Sequence, residues 1–382
     1  PPGVAEHFAR KQLSMPGAVL KLPGLIDPHV HLREPGATHK EDWDSGTQAA
    51  LAGGFTLVLA MPNTQPPVIE AVSFAQALAA AEKKAHCDYA QFFGAGPDNL
   101  ALPQDLARQG AGLKMYLDQT YGPLRLADMT LWMAYLSRWP KDRPVVAHAE
   151  GKTLAAVILA AALCNRSVHL AHVSRREEIL LIRKAKEKGL KVTCEVAPHH
   201  LFLCEDDIPH IGPNRSEVRP RLAARADRQA LWDNLDVIDC FASDHAPHTL
   251  AEKDSSQPPP GFPGLETALP LFLTAVKAKQ LTLEDVVKRM VANPRRIFRL
   301  PEQPTTWVEV DEHASWHIRA ADTHTRSGWT PFEGWRVSGK VIKVVLRGIE
   351  AYRSGTVLAP PGFGKNIRQF TRLQIHPGRS AL

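Results

Sequence analysis

Short apolar runs rich in β-branched residues alternate along the chain with longer stretches whose apolar positions recur at helical spacing. Phe55–Ala60 and Val145–His148 are typical of the short runs, and 153–163 and 176–188 of the longer ones. Such alternation indicates βα units around a parallel sheet. With a run before His29, about eight strands can be counted, which favours a (β/α)8 barrel of the TIM type. The other predicted elements are strands at 89–93, 112–116, 168–172, 191–194 and 237–242 and a helix at 72–84.

Side chains able to bind a metal ion stand at the carboxyl ends of several of these runs. They are the imidazoles of His29, His31, His148 and His172, the amine of Lys114 and the carboxylate of Asp244. Active sites of (β/α)8 barrels lie at the carboxyl ends of the strands. A doubly wound open sheet would instead carry a glycine-rich phosphate loop after its first strand, and the sequence has no such motif. The polar positions therefore support a barrel and place its site at one end.

The chain changes character near residue 303. The apolar runs at 306–310, 337–347 and 351–358 follow one another without helical stretches between them. We predict that residues 303–360 form a small β-rich appendage together with an N-terminal segment, residues 1–24. The barrel then comprises residues 25–302. Residues 361–382 are basic and contain proline and glycine, which is typical of a linker-like tail.

Composition narrows the classes of function. With 382 residues, of which 44% are hydrophobic and 23% charged, the chain can fold as one barrel with an appendage. The net charge of +6 comes without a Lys/Arg-rich run, and no apolar run is long enough to cross a bilayer. We therefore expect neither nucleic acid nor a membrane as a partner.

Five scattered cysteines favour a cytoplasmic location, and the start at Pro1 leads us to expect a domain of a longer polypeptide.

The spacing of the candidate ligands suggests how they act. His29 and His31 are two residues apart on a predicted strand, so both imidazoles can point to one face, and Asp27 could orient a ring from behind. Lys114 is predicted to point into the barrel mouth, where burial lowers the pKa of an amine. A neutral amine can add CO2 and become an anionic carbamate with two oxygens. Together these groups would hold two metal ions.

Other histidines lack any such pattern. We predict that they are surface residues: His7, His39, His86, His210, His313, His317, His324 and His376.

Taken together, the motifs resemble those of the cyclic amidohydrolases of the amidohydrolase superfamily, and specifically of dihydroorotase. The segments that carry the resemblance are 23–36 (PGLIDPHVHLREPG), 60–64 (AMPNT), 112–116 (GLKMY), 192–200 (VTCEVAPHH) and 242–248 (ASDHAPH). Segments 217–220, 258–267 and 293–298 look most like the dihydroorotase domain of the animal multienzyme protein of pyrimidine synthesis. The resemblance covers residues from about 21 to 360.

The resemblance implies a site with two zinc ions bridged by N6-carboxylated Lys114. One zinc would be held by His29, His31, Lys114 and Asp244, and the other by Lys114, His148 and His172. Asp244 would also be the catalytic acid and base. The substrate carboxylate would be bound by Arg33, Asn63 and His248, with main-chain contacts near Arg219 and Pro260. A flexible loop carrying Thr120 and Tyr121 would cover the site.

Two positions depart from the animal domains. Ala171 stands where those domains have a cysteine associated with a third zinc, and Glu195 matches the acid that binds the same ion. A third zinc is therefore doubtful, and Glu195 loses part of its implied role as a ligand. Tyr121 stands where a phenylalanine is usual, and we expect this change to be tolerated, with altered loop kinetics.

The implied activity is the reversible cyclisation of N-carbamoyl-L-aspartate to L-dihydroorotate in the synthesis of UMP. The implied partners are a second copy of the chain, as a homodimer, and covalently linked carbamoyl-phosphate synthetase and aspartate transcarbamoylase domains. Two alternatives remain open. One is a hydantoinase, dihydropyrimidinase or allantoinase, which would use the same metal ligands, and the other is a catalytically silent scaffold domain.

Overall fold

The computed structural model describes residues 19–369, so the first 18 residues and most of the predicted tail lie outside it. The strands are β1 (Val19–Pro23), β2 (Leu25–Val30), β3 (Phe55–Ala60), β4 (Asp88–Gln91), β5 (Phe93–Gly94), β6 (Leu113–Tyr116), β7 (Val145–His148), β8 (Val168–Leu170), β9 (Val192–Val196), β10 (Cys240–Phe241), β11 (Trp307–His317), β12 (Arg336–Leu346), β13 (Ile349–Arg353) and β14 (Thr356–Val357).

The α-helices are α1 (Trp43–Ala52), α2 (Ala71–Lys84), α3 (Gln104–Ala107), α4 (Met129–Arg138), α5 (Lys152–Leu163), α6 (Arg176–Glu187), α7 (Pro198–Phe202), α8 (Ile208–Ile211), α9 (Arg225–Asp233), α10 (Leu250–Lys253), α11 (Leu265–Lys277), α12 (Leu283–Val287) and α13 (Asn293–Phe298). Two 3₁₀ turns, Glu205–Asp207 and Ala320–Asp322, and a π-helical turn, Lys288–Ala292, complete the regular structure of the described residues.

Parallel strands form two sheets at the centre of the molecule. One sheet has the order β2-β3-β4, and the other has the order β10-β9-β8-β7-β6-β5. All six residues of β3 are buried, as expected for a parallel strand that is covered on both faces. The predicted parallel α/β architecture is therefore confirmed. Near β10, the His31 amide donates to the carbonyl of His245 at 2.8 Å, which brings the end of β2 beside the segment that follows β10.

A separate five-stranded antiparallel sheet joins the two ends of the described chain. Its order is β1-β11-β12-β13-β14, and β1 pairs along its whole length with β11. The sheet packs on α11, where the Ser338 amide donates to the Thr274 hydroxyl at 2.8 Å. Buried side chains on β1 and β11, including Leu22 and Val308, belong to the same apolar core as the parallel strands. The two ends of the described chain are thus held against the parallel strands by shared burial.

Helix α1 shows how a local sequence signal fixes an element beside the site. Asp42 caps the helix, accepting a 2.9 Å hydrogen bond from the Ser45 amide, and the Ser45 hydroxyl in turn accepts from the Asp42 amide. This reciprocal pair is a capping box, which stabilises a helix start by satisfying two free amides. Asp42 also accepts from Lys84 at 3.2 Å, so α1 is tied to the end of α2.

The isolated histidines differ in how far they are exposed to solvent. His39, His210, His313 and His317 are exposed as predicted, and His324 is half-buried. The prediction for His86 is wrong, because this residue is buried and its ring contacts the Ala359 carbonyl at 2.7 Å and Asp44 at 2.8 Å. The contacts come from distant parts of the chain, which explains why no local pattern revealed them. His7 and His376 lie outside the described residues.

Within residues 19–369, no helix has the length and apolar character needed to cross a membrane.

Candidate active site

The carboxyl ends of the parallel strands surround one cavity with ≈ 350 Å³ of empty space. Most of the predicted site residues line it: His29, His31, Arg33, Asn63, Thr120, Tyr121, His148, His172, Arg219, Asp244 and Pro260. Tyr116, Ala246 and Gly261 complete the lining. The folded chain therefore brings residues from distant segments to one place. Lys114, Glu195 and His248 are buried directly behind this lining.

Two imidazoles and a carboxylate converge at the floor of the cavity. The Nε2 atoms of His29 and His31 lie 3.3 and 3.4 Å from Oδ1 of Asp244. All three side chains are buried, and their ligand atoms lie within 4.8 Å of one another. Burial lowers the pKa of His31 to about 3. A neutral imidazole has a free lone pair for a metal ion, so this group fits a cation between its members.

Lys114 links this group to a second pair of histidines. Its Nζ lies 3.3 Å from Nε2 of His29, and Nδ1 of His148 lies 2.9 Å from Nε2 of His172. Burial lowers the pKa of Lys114 to about 8 and also lowers the pKa values of both histidines. The site thus gathers donors that burial favours in their neutral form, and Nδ1 of His172 has no hydrogen-bond partner among the described residues. This donor set fits two divalent cations.

The acidic residue that orients the His29 ring is not the predicted one. Asp27 was expected to orient a ring, but its carboxylate accepts instead from the main-chain amides of His29 (3.1 Å) and Ser243 (3.2 Å). Glu195 takes the orienting position, because it contacts Nδ1 of His29. The other Glu195 oxygen lies 3.1 Å from Nε2 of His169. Glu195 therefore lies on the side of the His29 ring opposite Asp244, where it fixes the ring's orientation.

The residues implied to bind a carboxylate gather at the opposite wall. Arg33 Nε donates to the Pro247 carbonyl at 3.1 Å, which leaves Nη2 3.0 Å from Nε2 of His248. Asn63 contacts Nδ1 of His31 through its carbonyl oxygen at 2.6 Å. The Asn63 amide nitrogen donates to the carbonyl of Tyr121 at 3.1 Å. Asn63 thus connects the residues implied to bind a carboxylate with His31 and with the loop that carries Tyr121.

Arg219 and Pro260 contribute differently. The Arg219 guanidinium pairs with Glu217, and its Nη1 donates to the Val218 carbonyl at 3.0 Å. The Pro260 carbonyl faces Nε2 of His248 at 3.0 Å. Both residues lie on the cavity wall, as expected. The charge of the Arg219 guanidinium is already balanced by the Glu217 carboxylate.

Three site residues have unusual backbone geometry. Arg33, His172 and Asp244 have φ values of 60°, 35° and 46°, in the left-handed region that L-amino acids seldom adopt. Such conformations cost about 1–3 kcal/mol each and persist where the surrounding structure holds them for a functional purpose. Each follows the end of a parallel strand, so the strained turns aim their side chains into the cavity.

Several buried polar residues of the site were missed by sequence reasoning. Lys40 contacts Tyr121, His248 and Glu252, and Lys253 donates to the carbonyls of Glu217, Pro259 and Gly261. A lysine within a polar stretch of sequence has the signature of a surface residue, so no local signal marked either one. His169 lies three residues before His172 in the predicted strand 168–172, yet its contact with Glu195 depends on the pairing of β8 with β9.

The chain is similar in sequence to several known proteins. Residues 17–90 match a family model described as dihydro-orotase-like. The chain is 55% identical over 92% of its length to the multifunctional protein CAD of Squalus acanthias, of which it spans 16%. It is 38% identical to the dihydroorotase of Pyrococcus abyssi, and the match covers 89% of the chain and 85% of that protein.

Solved structures show the same fold. The L-hydantoinase of Arthrobacter aurescens superposes with a TM-score of 0.87 at 24% identity, covering 91% of this chain and 88% of that one. An inactive dihydroorotase-like domain of a CAD-like multifunctional protein from Chaetomium thermophilum gives a TM-score of 0.79 at 29% identity, covering 92% and 100%. The hydantoinase likeness shows the fold alone. Because sequence similarity extends over most of an archaeal dihydroorotase, the chain belongs to the dihydroorotase family.

Proposed function

We propose that the chain interconverts L-dihydroorotate and N-carbamoyl-L-aspartate in the cytoplasm, as a step of UMP synthesis. The observation that carries this proposal is the placement of four histidines, Lys114 and Asp244 in one buried cluster that faces a pocket containing Arg33 and His248. Hydrolysis of a ring amide needs an activated water, and a substrate with a carboxylate needs a cationic partner. The cavity offers groups suited to each task.

Two zinc ions fit the donor set. His29, His31, Asp244 and Lys114 would hold one, and His148, His172 and the same Lys114 would hold the other. When bound, the ions would polarise the amide carbonyl and lower the pKa of a bound water to roughly 7. Lys114 would contribute to both sites as a carbamate. Its neutral Nζ would attack CO2, forming an N–C bond as one C=O π bond opens and releasing a proton from the nitrogen. A third zinc remains doubtful because Ala171 offers no ligand and Glu195 faces His29 and His169.

Asp244 carries the proton in this mechanism. Its Oδ1 faces the two histidine Nε2 atoms. Burial raises the pKa of this carboxyl, but the neighbouring histidines outweigh burial and hold the pKa well below its ordinary value. The carboxylate is thus ionised and can take a proton from the attacking water. It then delivers that proton to the ring nitrogen as the amide C–N bond breaks, work that typically contributes about 10²–10⁴ in rate.

The opposite wall orients the substrate. Arg33, His248 and Asn63 would bind its carboxylate, with main-chain contacts at Arg219 and Pro260. Thr120 and Tyr121 line the cavity from the loop above and would exclude water when the loop is closed. Orientation by a guanidinium fork adds geometry as well as charge, which places the scissile carbonyl near the attacking water.

We also infer that the parallel strands form a closed eight-stranded barrel. Only Phe92 separates β4 from β5, and its amide donates to the Ala60 carbonyl at 2.9 Å, so the two short strands would act as one. At the other seam, a parallel bridge joins Val30 and His245. Closure at these two places would unite the three-stranded and six-stranded sheets into a (β/α)8 barrel, with a β-rich appendage.

The proposed partners follow from the chain's coverage and its surface. Since the chain spans only 16% of the shark multifunctional protein, we propose covalently linked carbamoyl-phosphate synthetase and aspartate transcarbamoylase domains.

A homodimer is supported by apolar side chains exposed on adjacent helices α4, α5 and α6. They are Met129, Met133, Leu159, Leu163, Leu180 and Leu181. Exposed apolar side chains clustered in this way are typical of protein interfaces.

Substrate assays test the proposal against both alternatives. Protein supplied with zinc and bicarbonate should hydrolyse L-dihydroorotate and cyclise N-carbamoyl-L-aspartate, and should act poorly on hydantoin and dihydrouracil. A preference for the uncharged rings would instead establish a hydantoinase-type enzyme. No turnover of any of these compounds, with two equivalents of zinc bound, would establish a silent scaffold.

A further inference from the structure

Lys40 is a buried cation that the proposed mechanism does not use. It is 4% exposed, and it lies in the loop between β2 and α1. Its Nζ has three polar neighbours: Nδ1 of His248 at 3.1 Å, the Tyr121 hydroxyl at 3.1 Å and Oε1 of Glu252 at 3.0 Å. An ammonium group has three N–H donors and no acceptor. The three neighbours therefore use its full hydrogen-bonding capacity.

These contacts determine which nitrogen of His248 carries the proton. The ring is fully buried, and burial together with Arg33 and Lys40 lowers its pKa far below the ordinary value, so the imidazole is neutral. A neutral imidazole has one donor nitrogen and one acceptor nitrogen. Because Lys40 can only donate, Nδ1 must accept, and Nε2 must carry the hydrogen. The Pro260 carbonyl, 3.0 Å from Nε2, is a suitable acceptor for that hydrogen.

The same assignment prepares an anion site. Arg33 Nη2 lies 3.0 Å from Nε2 of His248, so two N–H groups stand side by side at the cavity wall. The Nε2–H group faces the Pro260 carbonyl and cannot accept from Arg33, so the Nη2–H group of Arg33 stays free for a carboxylate oxygen. With the opposite tautomer, Nε2 would accept from Arg33 and consume the guanidinium donor that the substrate needs.

We propose that Lys40 is a positioning residue that holds His248 as its Nε2–H tautomer and thereby keeps the Nη2–H donor of Arg33 free for the substrate carboxylate. This inference rests on the proposed function. Lys40 also donates to the Tyr121 hydroxyl, and its Nζ lies 4.6 Å from the centre of that ring. The loop residue is therefore attached to the same cation that orients His248, an attachment that phenylalanine at position 121 would lack.

Kinetics of Lys40→Met test the proposal. Loss of a charge-assisted hydrogen bond at a buried site costs about 1.5–3 kcal/mol, which corresponds to a rise of roughly 10- to 100-fold in KM for L-dihydroorotate. The value of kcat should change less than about threefold, since the residues that handle the proton are untouched. Tyr121→Phe removes one of the three contacts and should raise KM by less than Lys40→Met. Lys277→Met, which removes one lysine from the end of helix α11, is the matched control and should leave KM unchanged.

A spectroscopic measurement separates positioning from a general loss of structure. Nitrogen-15 chemical shifts of labelled His248 in the zinc-loaded protein should show a protonated Nε2 and an unprotonated Nδ1. Lys40→Met should shift the population toward the other tautomer while zinc content stays at the wild-type value. A protonated Nδ1 in the wild type would overturn the proposal even if the variant failed to fold. An unchanged KM in a folded Lys40→Met variant would also overturn it, whereas an inactive wild type would refute the proposed function itself.

Discussion

At the scale of single residues, the chemistry depends on what burial does to charge. Lys114 is fully buried, and burial lowers the pKa of its amine to about 8. At pH 7 this leaves roughly one amine in ten neutral, against roughly one in 3,000 for an exposed lysine with a pKa near 10.4. Only the neutral amine attacks CO2. The same desolvation favours the unprotonated form of His31, His148 and His172, which is the form that binds a metal ion.

We therefore predict that carboxylation of Lys114 rises with pH. The folded pKa is lowered, so the neutral form grows as pH rises through about 8. Metal-free protein should gain the mass of one CO2 faster at pH 8.5 than at pH 6.5 when dissolved CO2 is held constant, as followed by native mass spectrometry. Lys114→Ala should gain no adduct at either pH. Equal rates at the two pH values would contradict the role of the neutral amine.

Asp244 gives a second prediction at this scale. Asp244→Asn removes the group that accepts and returns the proton, so kcat should fall by at least about 10²-fold. Zinc content, measured by atomic emission, should decrease little because the amide oxygen remains near His29 and His31. Wild-type turnover in this variant would show that another group carries the proton.

At the scale of elements, local sequence signals placed most strands well. The predicted and observed bounds agree for Phe55–Ala60 and Val145–His148, where the whole apolar run is buried. Agreement is poorer at β10, for which residues 237–242 were predicted and only Cys240–Phe241 form a strand. Val237 instead donates through its amide to the Asn234 carbonyl in a turn. An apolar run shows that residues are buried but does not show which of them pair.

The loop that carries Pro260 depends on a close backbone approach. Gly261 has φ 146°, and a Cβ at this position would lie 2.3 Å from the Ala246 carbonyl oxygen. Gly261→Ala should displace the Pro260 carbonyl from His248 and raise KM for L-dihydroorotate by about tenfold, the effect of losing one good hydrogen bond. Steady-state kinetics measure this.

A second glycine distinguishes the effect of a steric contact from the effect of backbone strain. Gly189 also has a left-handed φ, 74°, but apart from its two chain neighbours no described residue has an atom within 4 Å of the position that an added Cβ would take. Gly189→Ala should lower the free energy of unfolding by about 1 kcal/mol and leave KM unchanged. Equal KM values in the two alanine variants would show that the loop tolerates the added methyl group.

At the scale of the whole molecule, the described structure joins parallel strands, their helices and a terminal antiparallel sheet through one continuous core. The functional groups lie at one end of the parallel strands, while the exposed apolar side chains of α4, α5 and α6 lie on the outer helices. Assembly through that outer surface would leave the cavity open to substrate.

The proposed homodimer can be tested on this surface. Leu159, on α5, is 60% exposed, and Leu159→Glu would place a charge within an apolar interface. We expect this variant to sediment as a monomer at concentrations where the wild type sediments as a dimer. Val72→Glu, at a position on α2 that is 63% exposed, is the matched control and should leave the assembly intact. A Leu159→Glu protein that sediments as the wild type does would place the interface elsewhere.

The sequence by itself determined the alternation of elements, the types of ligand and the ends of the strands on which they stand. These features follow from local periodicity and from motifs that need no distant partner. Only the tertiary structure decided that Glu195, and not Asp27, contacts the His29 ring, and that Lys40 is buried between Tyr121 and His248. Each of these contacts joins segments far apart in the chain, and hydrogen-bond partners across such separations leave no periodic trace in a single sequence.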